Sequence, residues 1–225
     1  MAKDKKTALL LGATGLIGSQ LLPLLLNEAR YEKVIALVRR PLPIQHPKLQ
    51  NVLFDYEQPD PSIVKGDEVF CCLGTTLKKA GSKAAQYRVD HDYPLEIGRL
   101  ALANGVQTYL LVSSIGATTN TSNFYLRTKG ELEKDLENLG FNRLVILRPS
   151  VLLGDRSEFR LGEKIGIGLV SVLSPLLLGS LKKYRGIHAK TVAEAMIREA
   201  RVSEPEILIL ESDKIGNTPV QRARG

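Results

Sequence analysis

Tyr125 and Lys129 are the residues of this sequence whose types and spacing best suit proton transfer. They lie four positions apart within 123–138, a segment whose pattern predicts a helix, so both side chains share one face of that helix. A phenol keeps its proton at neutral pH, and a nearby ammonium stabilises its anion. Such a pair can exchange a proton with a carbonyl or alcohol oxygen. The same spacing is frequent by chance, so its surroundings must support the interpretation.

A pair of serines provides the first support. Ser113 and Ser114 follow an apolar run at 108–112 that predicts a strand. A serine hydroxyl at the end of a strand can orient the carbonyl that receives a proton. We therefore predict a catalytic set of Ser114, Tyr125 and Lys129, while either serine of the pair remains able to face the substrate.

Three glycines near the start of the chain predict a nucleotide loop. Gly12, Gly15 and Gly18 separate an apolar run at 7–11 from a segment with helical periodicity at 16–29. Glycine lets the backbone approach a diphosphate closely, and the helix start offers N–H groups and the positive end of its dipole. The spacing G-x-x-G-x-x-G differs from the G-x-G-x-x-G fingerprint of many dehydrogenases. The alternative is a turn with a purely structural role.

Two arginines predict which nucleotide binds. Arg39 and Arg40 directly follow a second predicted strand at 33–38, and Arg39 lies twenty-one residues after Gly18. In a dinucleotide fold this position faces the adenosine ribose, where an acid selects NAD and a basic residue pairs with the 2′-phosphate of NADP. Guanidinium binds phosphate through two hydrogen bonds. We therefore predict NADP(H) as the cofactor, with Lys129 near its nicotinamide ribose; the alternative is two ordinary surface arginines.

Two further predicted strands end in residues that suit a cofactor crevice. A strand predicted at 68–73, apolar after Glu68, leads into Gly74 and Thr75, and small residues fit the carboxyl end of a parallel strand beside a cofactor. An earlier strand ends at Asp55 and Tyr56, which either contact the adenine or face solvent.

The chain after a sixth predicted strand, at 143–148, is expected to cover the substrate. The backbone of 149–154 can clasp the nicotinamide, and Arg160 either reaches a phosphate or is solvated. The uncharged stretch 165–181 is shorter than the ~20 residues of a spanning helix. We predict a small substrate-side lobe at about 150–190 and a small-molecule substrate, with the apolar stretch hinting at a hydrophobic one. Peripheral contact with a membrane stays open.

Strands alternate with helices along the chain, which predicts an α/β fold with a Rossmann-type, doubly wound parallel sheet. A length of 225 residues fits one domain at 1–225. The adjacent Cys71 and Cys72 allow no disulfide framework and no zinc site, so we predict no metal. With no signal peptide recognised, the predicted location is the cytoplasm.

The charge pattern argues against a nucleic-acid partner. The formal net charge is +7, but the excess is scattered along the sequence in small clusters. Nucleic-acid binding requires a continuous basic face, with aromatic side chains where single strands are bound, and aromatic residues make up only 5% of this chain. A solvated basic surface, or attraction for anionic cofactors and substrates, explains the charge better.

Together these residues resemble the atypical or extended short-chain dehydrogenases. The motifs that carry the resemblance are Gly12-x-x-Gly15-x-x-Gly18, Ser113-Ser114, Tyr125-x-x-x-Lys129 and Arg148-Pro149. The runs 71–76, 89–93 and 148–156 are similar to the Tat-interacting oxidoreductase-like subgroup, and the similarity covers about 7–210.

That resemblance implies a Rossmann fold that binds NADPH, with Tyr125 as proton acceptor and Lys129 beside it. It implies cofactor contacts at Thr14, Gly15, Leu16, Ile17, Arg39, Arg40, Leu73, Gly74, Leu152 and Arg160. The function that follows is an NADPH-dependent oxidoreductase acting on a carbonyl or alcohol. Since some members of the subgroup are discussed as regulators, the alternative is an NADPH-binding regulatory or scaffold protein without turnover.

Overall fold

A computed structural model describes residues 5–153 and 179–217. Its strands are β1 Lys6–Leu11, β2 Tyr31–Val38, β3 Leu49–Leu53, β4 Glu68–Cys71, β5 Thr108–Val112, β6 Arg143–Arg148, β7 Leu152–Leu153, β8 Ile187–His188 and β9 Glu206–Glu211. Its α-helices are α1 Gly18–Asn27, α2 Leu77–Ala80, α3 Lys83–Tyr87, α4 Tyr93–Ala103, α5 Phe124–Leu139, α6 Ala189–Ala200 and α7 Ser212–Asn217. A π-helical turn at Arg88–Asp92 joins α3 to α4, and a 3₁₀ helix covers Gly179–Tyr184.

Seven of the described strands form one parallel sheet in the order β3-β2-β1-β4-β5-β6-β9. The order reverses between β1 and β4, which is where doubly wound sheets open a crevice at the carboxyl ends of their strands. The predicted Rossmann-type fold is therefore confirmed. Two short strands, β7 and β8, pair separately.

Apolar strands bury both faces of this sheet and create two cores. One core includes Leu21 of α1 and Val192 of α6, and the other includes Ile97 of α4 and Leu132 of α5. Strand alternation sends neighbouring side chains to opposite faces. Helices therefore cover both faces of the sheet, while the carboxyl ends of the strands remain accessible to a ligand.

The two cysteines follow the same alternation. Cys71 is buried in the core beside α4 and α5, while Cys72 packs against the other core, with its Sγ 3.8 Å from the Sδ of Met196. Both thiols are free. The two neighbours therefore do not form a disulfide with each other.

Two details differ from the prediction. The apolar periodicity of 84–104 predicts a helix that Pro94 interrupts. The structure instead has α3, the π-helical turn and α4 in direct succession, and Pro94 is the second residue of α4. The strand predicted to reach residue 73 ends at Cys71. Most of the predicted lobe at 150–190, including all but the end of the 165–181 stretch, lies outside the described residues. None of the described helices has the length and apolar character needed to cross a membrane.

Candidate cofactor and active site

A cavity of about 760 Å³ lies at the carboxyl ends of β1, β2 and β4. The predicted cofactor residues that line it are Gly12, Thr14, Gly15, Arg39, Arg40, Leu73, Gly74 and Thr75. The structure therefore brings together residues from Gly12 to Thr75, which lie in separate segments of the sequence. Their common position is the crevice where this fold class binds dinucleotides.

The glycine loop is shaped by close backbone contacts. Gly12 has φ +78°, and a Cβ built on it would lie 2.5 Å from the carbonyl oxygen of Cys72. A Cβ on Gly18 would lie 2.1 Å from the carbonyl oxygen of Gly12, so Gly18 packs the start of α1 beneath the loop. Neither Gly18 nor the predicted contacts Leu16 and Ile17 lines the cavity; Ile17 is part of the core.

Alanine at Gly12 should test this packing. Gly81 has nearly the same φ, +81°, but a Cβ there meets nothing within 4 Å, so Gly81→Ala measures the backbone cost alone. We expect Gly81→Ala to lower the free energy of unfolding by about 1–2 kcal/mol. Gly12→Ala should lower it by about 1–3 kcal/mol more, because its Cβ overpacks the loop. Urea unfolding of both variants gives the comparison. Equal losses in the two proteins would show that the contact with Cys72 does not restrain the loop.

The arginines and an aromatic wall lie on the side of the cavity at the end of β2. The side chains of Arg39 and Arg40 are exposed at its edge. Tyr56 stacks on Tyr93 with ring centroids 5.4 Å apart, and both line the cavity. Burial raises the pKa of Tyr56, so the ring stays a neutral surface. Of the two residues predicted for the adenine, Tyr56 therefore lines the cavity, whereas Asp55 is exposed and accepts a hydrogen bond from the backbone N–H of Glu57 at 2.9 Å.

Helix α5 carries Tyr125 and Lys129 on one face, as the sequence predicts. It begins after Asn123, whose side chain accepts from the backbone N–H of Leu126 at 3.1 Å. Tyr125 is half-buried, and Lys129 is only 2% exposed. Within the described part of the chain, Lys129 Nζ has no hydrogen-bond partner. A Cβ on Gly74 would lie 4.0 Å from this nitrogen, which places the ammonium against the cavity wall.

The two serines at the end of β5 have different surroundings. Ser113 is buried, and its hydroxyl donates to the carboxylate of Glu133, which also accepts from Arg148 Nε at 3.0 and 3.1 Å. Ser114 is half-buried, and its Oγ has a long contact of 3.4 Å with the carbonyl oxygen of Ile115. The Ser113 hydroxyl already donates to Glu133 inside the protein. This geometry favours Ser114 as the serine that meets a substrate.

Several predicted residues are not among those that line the described cavity. Ser114, Tyr125, Lys129 and Leu152 do not line it. Leu152 lies half-buried in β7. Arg160 falls outside the described residues. In the part of the chain that is described, no three metal-ligating side chains cluster.

Asp90 is the site residue that the sequence reasoning missed. It is fully buried in the π-helical turn, and its Oδ1 accepts from the backbone N–H of Thr75 at 2.7 Å. Its Oδ2 accepts from Gln86 Nε2 at 3.2 Å. In the sequence, Asp90 stands out only within the run 89–93 that carries the family resemblance, which gives it no role, and a period of 3.6 residues does not describe a π-helical turn.

Comparison with protein families finds a match along most of the chain. A family model described as NAD(P)H-binding matches residues 12–168. Protein HTATIP2 of Rattus norvegicus is 42% identical over 166 residues, covering 71% of this chain and 68% of the relative. The mitochondrial protein FMP52 of Candida glabrata is 42% identical over 161 residues, covering 71% and 69%. That of Meyerozyma guilliermondii is 30% identical and covers 94% of both chains.

Solved structures with a similar backbone share the fold. MoeE5 in complex with UDP-glucose and NAD has a TM-score of 0.68 at 18% identity, over 93% of this chain and 79% of its own. The oxidoreductase ylbE from Lactococcus lactis has a TM-score of 0.64 at 15% identity, over 97% and 99%. At these identities the likeness extends to the fold alone.

The predicted cytoplasmic location is wrong. Relatives called FMP52 in Candida glabrata, Eremothecium gossypii and Kluyveromyces lactis are named as mitochondrial proteins. The prediction used the lack of disulfides, which argues against an oxidising compartment and does not choose among the others.

Proposed function

This chain belongs to the NAD(P)H-binding, atypical short-chain dehydrogenase family that includes HTATIP2 and FMP52, and we propose that it is an NADPH-dependent oxidoreductase. Its proposed substrate is a small molecule that is interconverted between carbonyl and alcohol. The apolar stretch 165–181 in the sequence favours a hydrophobic substrate.

The observation that carries this proposal is the buried ammonium of Lys129. It lies beside Gly74 of the cavity wall, shares a helical face with Tyr125 and has no hydrogen-bond partner among the described residues. A buried charged donor without an acceptor is costly. A ribose hydroxyl of the cofactor would supply that acceptor. The residues present therefore fit a nicotinamide dinucleotide.

Each part of the site has a defined task in this proposal. The Gly12–Gly15 backbone holds the diphosphate, and Arg39 and Arg40 bind the 2′-phosphate of the adenosine. When bound, the cofactor would supply hydride to the carbonyl carbon. Lys129 Nζ donates to the nicotinamide ribose and, through its charge, favours the phenolate that remains after Tyr125 gives up its proton.

The proton and the substrate are handled at one oxygen. Tyr125 Oη donates its proton to the carbonyl oxygen as negative charge develops there. Ser114 Oγ donates a hydrogen bond to the same oxygen and so orients the carbonyl. In the direction of alcohol oxidation the same groups act in reverse, with Tyr125 accepting the alcohol proton.

A cofactor-binding protein without turnover is the second candidate. It is favoured by one observation: the described cavity is lined by residues for the dinucleotide and not by Ser114 or Tyr125. Such a protein would bind NADPH with the same loop and arginines and need no proton donor.

Titration with both cofactors, followed by a substrate screen, tests the proposal. In a fluorescence titration, we expect the Kd for NADPH to be at least about tenfold lower than the Kd for NADH. The reason is that only NADPH has a 2′-phosphate for Arg39 and Arg40 to bind. Aldehydes and ketones of increasing chain length are then screened for NADPH oxidation. Equal affinities would refute the preference for NADPH, and binding without oxidation of any carbonyl would favour the second candidate.

A further inference from the structure

The described cavity has a second basic wall to which the proposed function gives no task. Among the described residues, the side chains that line the cavity include four basic ones, Arg39, Arg40, Lys79 and Arg88, and no carboxylate. Arg39 and Arg40 follow β2, whereas Lys79 belongs to α2 and Arg88 begins the π-helical turn. A cleft lined by charges of one sign attracts ligands of the opposite sign. Cations from two separate parts of the chain therefore surround one space for an anionic ligand.

Arg88 is held at this cavity by the carboxylate of Glu57, which does not itself line it. A guanidinium nitrogen of Arg88 lies 3.2 Å from Glu57 Oε1. The two side chains are 52% and 54% exposed. Ion pairs as exposed as this are weak, because water screens the charges. Little free energy therefore opposes the exchange of Glu57 for another anion at Arg88.

Glu57 has an anchor that does not depend on Arg88. The hydroxyl of Tyr93 donates to the same oxygen, Oε1, and the ring of Tyr93 is stacked on Tyr56. Burial and the hydrogen bond to Glu57 raise the pKa of Tyr93 to about 12, so the phenol keeps its proton and remains a donor at neutral pH. Glu57 therefore stays in place when the guanidinium moves.

The π-helical turn explains how two residues five positions apart bind one carboxylate. The backbone N–H of Tyr93 bonds to the carbonyl oxygen of Arg88, and a hydrogen bond over five residues is the one that defines a π-helix. This bond brings the two residues one turn apart. The wider turn thus gives Glu57 both a movable partner and a fixed one.

We propose that Arg88 binds a phosphate group of the dinucleotide and that Glu57 is an internal competitor, which occupies the guanidinium until the cofactor enters the cavity. Guanidinium can bind phosphate through two charge-assisted hydrogen bonds, whereas its described contact with Glu57 uses one nitrogen. The exchange therefore favours the phosphate. The inference rests on the proposed function, because it requires a cofactor with phosphates. Two groups supply this chemistry, the 2′-phosphate and the diphosphate.

Substitution of Glu57 tests the competition, because the expected change is a gain in affinity. Glu57→Gln keeps an acceptor for the Tyr93 hydroxyl and removes the charge that holds Arg88. We expect the Kd for NADPH to fall about twofold to fivefold at low salt, which is the range of an exposed ion pair. In an Arg88→Gln protein, where there is no guanidinium to release, the same substitution should change the Kd by less than about 1.5-fold.

Glu96→Gln is the matched control. Glu96 also pairs with an arginine, Arg99 at 3.5 Å, and its side chain is 42% exposed, but it does not line the cavity. Its loss changes the net charge equally and should leave the Kd for NADPH within about 1.5-fold of wild type. Equal gains for Glu57→Gln and Glu96→Gln would assign the effect to net charge and overturn the proposal.

Arg88→Gln identifies the phosphate. The Kd for NADPH should rise about threefold to thirtyfold at low salt, and the loss should shrink at about 0.5 M salt, because charge-assisted bonds at an exposed site are screened. If the 2′-phosphate is the ligand, the Kd for NADH stays unchanged. If the diphosphate is the ligand, NADH weakens as much as NADPH.

Fluorescence titration of each variant with both cofactors gives these constants without a substrate. Failure of Glu57→Gln to lower the Kd would overturn the competition. An unchanged Kd for Arg88→Gln would show that its ion pair serves only the surface. A loss that persists at high salt would indicate stacking on the base and would also contradict a phosphate ligand. With a wild-type protein that binds NADPH, these results overturn this inference alone; a wild-type protein that does not bind NADPH overturns the proposed function as well.

Discussion

Tyr125→Phe lowers kcat for NADPH-dependent carbonyl reduction by about 10²–10⁴ and leaves the Kd for NADPH within about threefold. The substitution removes the phenol oxygen and keeps the ring at its half-buried position on α5. The barrier rises because the carbonyl oxygen no longer receives a proton as charge develops on it. The cofactor contacts should be unaffected, because the proposed site assigns them to the glycine loop, the arginines and Lys129.

Tyr87→Phe is the control for this experiment. Tyr87 also lies on a helix near the site, where its ring stacks on His91 at a centroid distance of 4.5 Å, but the proposed mechanism does not use it. Its kcat should stay within about twofold of wild type. Rates are measured under saturating NADPH with the best carbonyl from the screen. If Tyr125→Phe retains kcat within a few-fold, another group delivers the proton and the assignment of Tyr125 is wrong.

The fold was predictable because its strands are apolar runs with clear ends. The predicted strands at 108–112 and 143–148 match β5 and β6 residue for residue. Parallel strands buried on both faces are continuous apolar runs without alternating polar residues, so their ends are easy to locate in the sequence. Since carboxyl ends of such strands meet at one edge, positions as distant as Gly12, Arg39 and Gly74 could be assigned to one crevice before their contacts were known.

The contacts that shape the site were beyond sequence reasoning, because they depend on how elements pack. Nothing local indicates that Gly18 lies beneath Gly12 or that Asp90 accepts from a backbone N–H fifteen residues earlier. The helical period of 3.6 residues, which located α5 well, fails at the π-helical turn. That turn therefore went unrecognised, and the role of Asp90 with it.

The contacts of Glu133 explain a regular spacing of residues along α5 that is visible in the sequence. Tyr125, Lys129 and Glu133 follow one another at intervals of four along α5 and so share one face. Glu133 is buried where it binds Ser113 at the end of β5 and Arg148 at the end of β6. These contacts fix the rotation of α5 about its axis. Glu133 thereby sets the direction in which the proposed catalytic residues Tyr125 and Lys129 point.

The double substitution Arg39→Gln/Arg40→Gln raises the Kd for NADPH by about 10–100-fold and leaves the Kd for NADH within about twofold, because each charge-assisted bond to phosphate contributes about 1.5–3 kcal/mol before screening. Both side chains are exposed at the cavity edge, so solvent reduces the effect. For the same reason the loss should shrink as salt rises from low ionic strength to 0.5 M, where screening lengths fall to about 4 Å. The measurement is fluorescence titration with each cofactor at several salt concentrations.

Arg99→Gln/Arg201→Gln removes the same charge elsewhere on the surface. Arg99 is 58% exposed beside Glu96, and Arg201 is 55% exposed beside Glu28. If this control weakens NADPH binding as much as the Arg39/Arg40 pair does, the effect belongs to the net charge of +7 and not to phosphate recognition. If NADPH and NADH weaken together only at Arg39 and Arg40, the arginines bind a part that both cofactors share. A selective loss for NADPH, confined to this pair and screened by salt, identifies the 2′-phosphate as their ligand, because that group alone distinguishes the two cofactors.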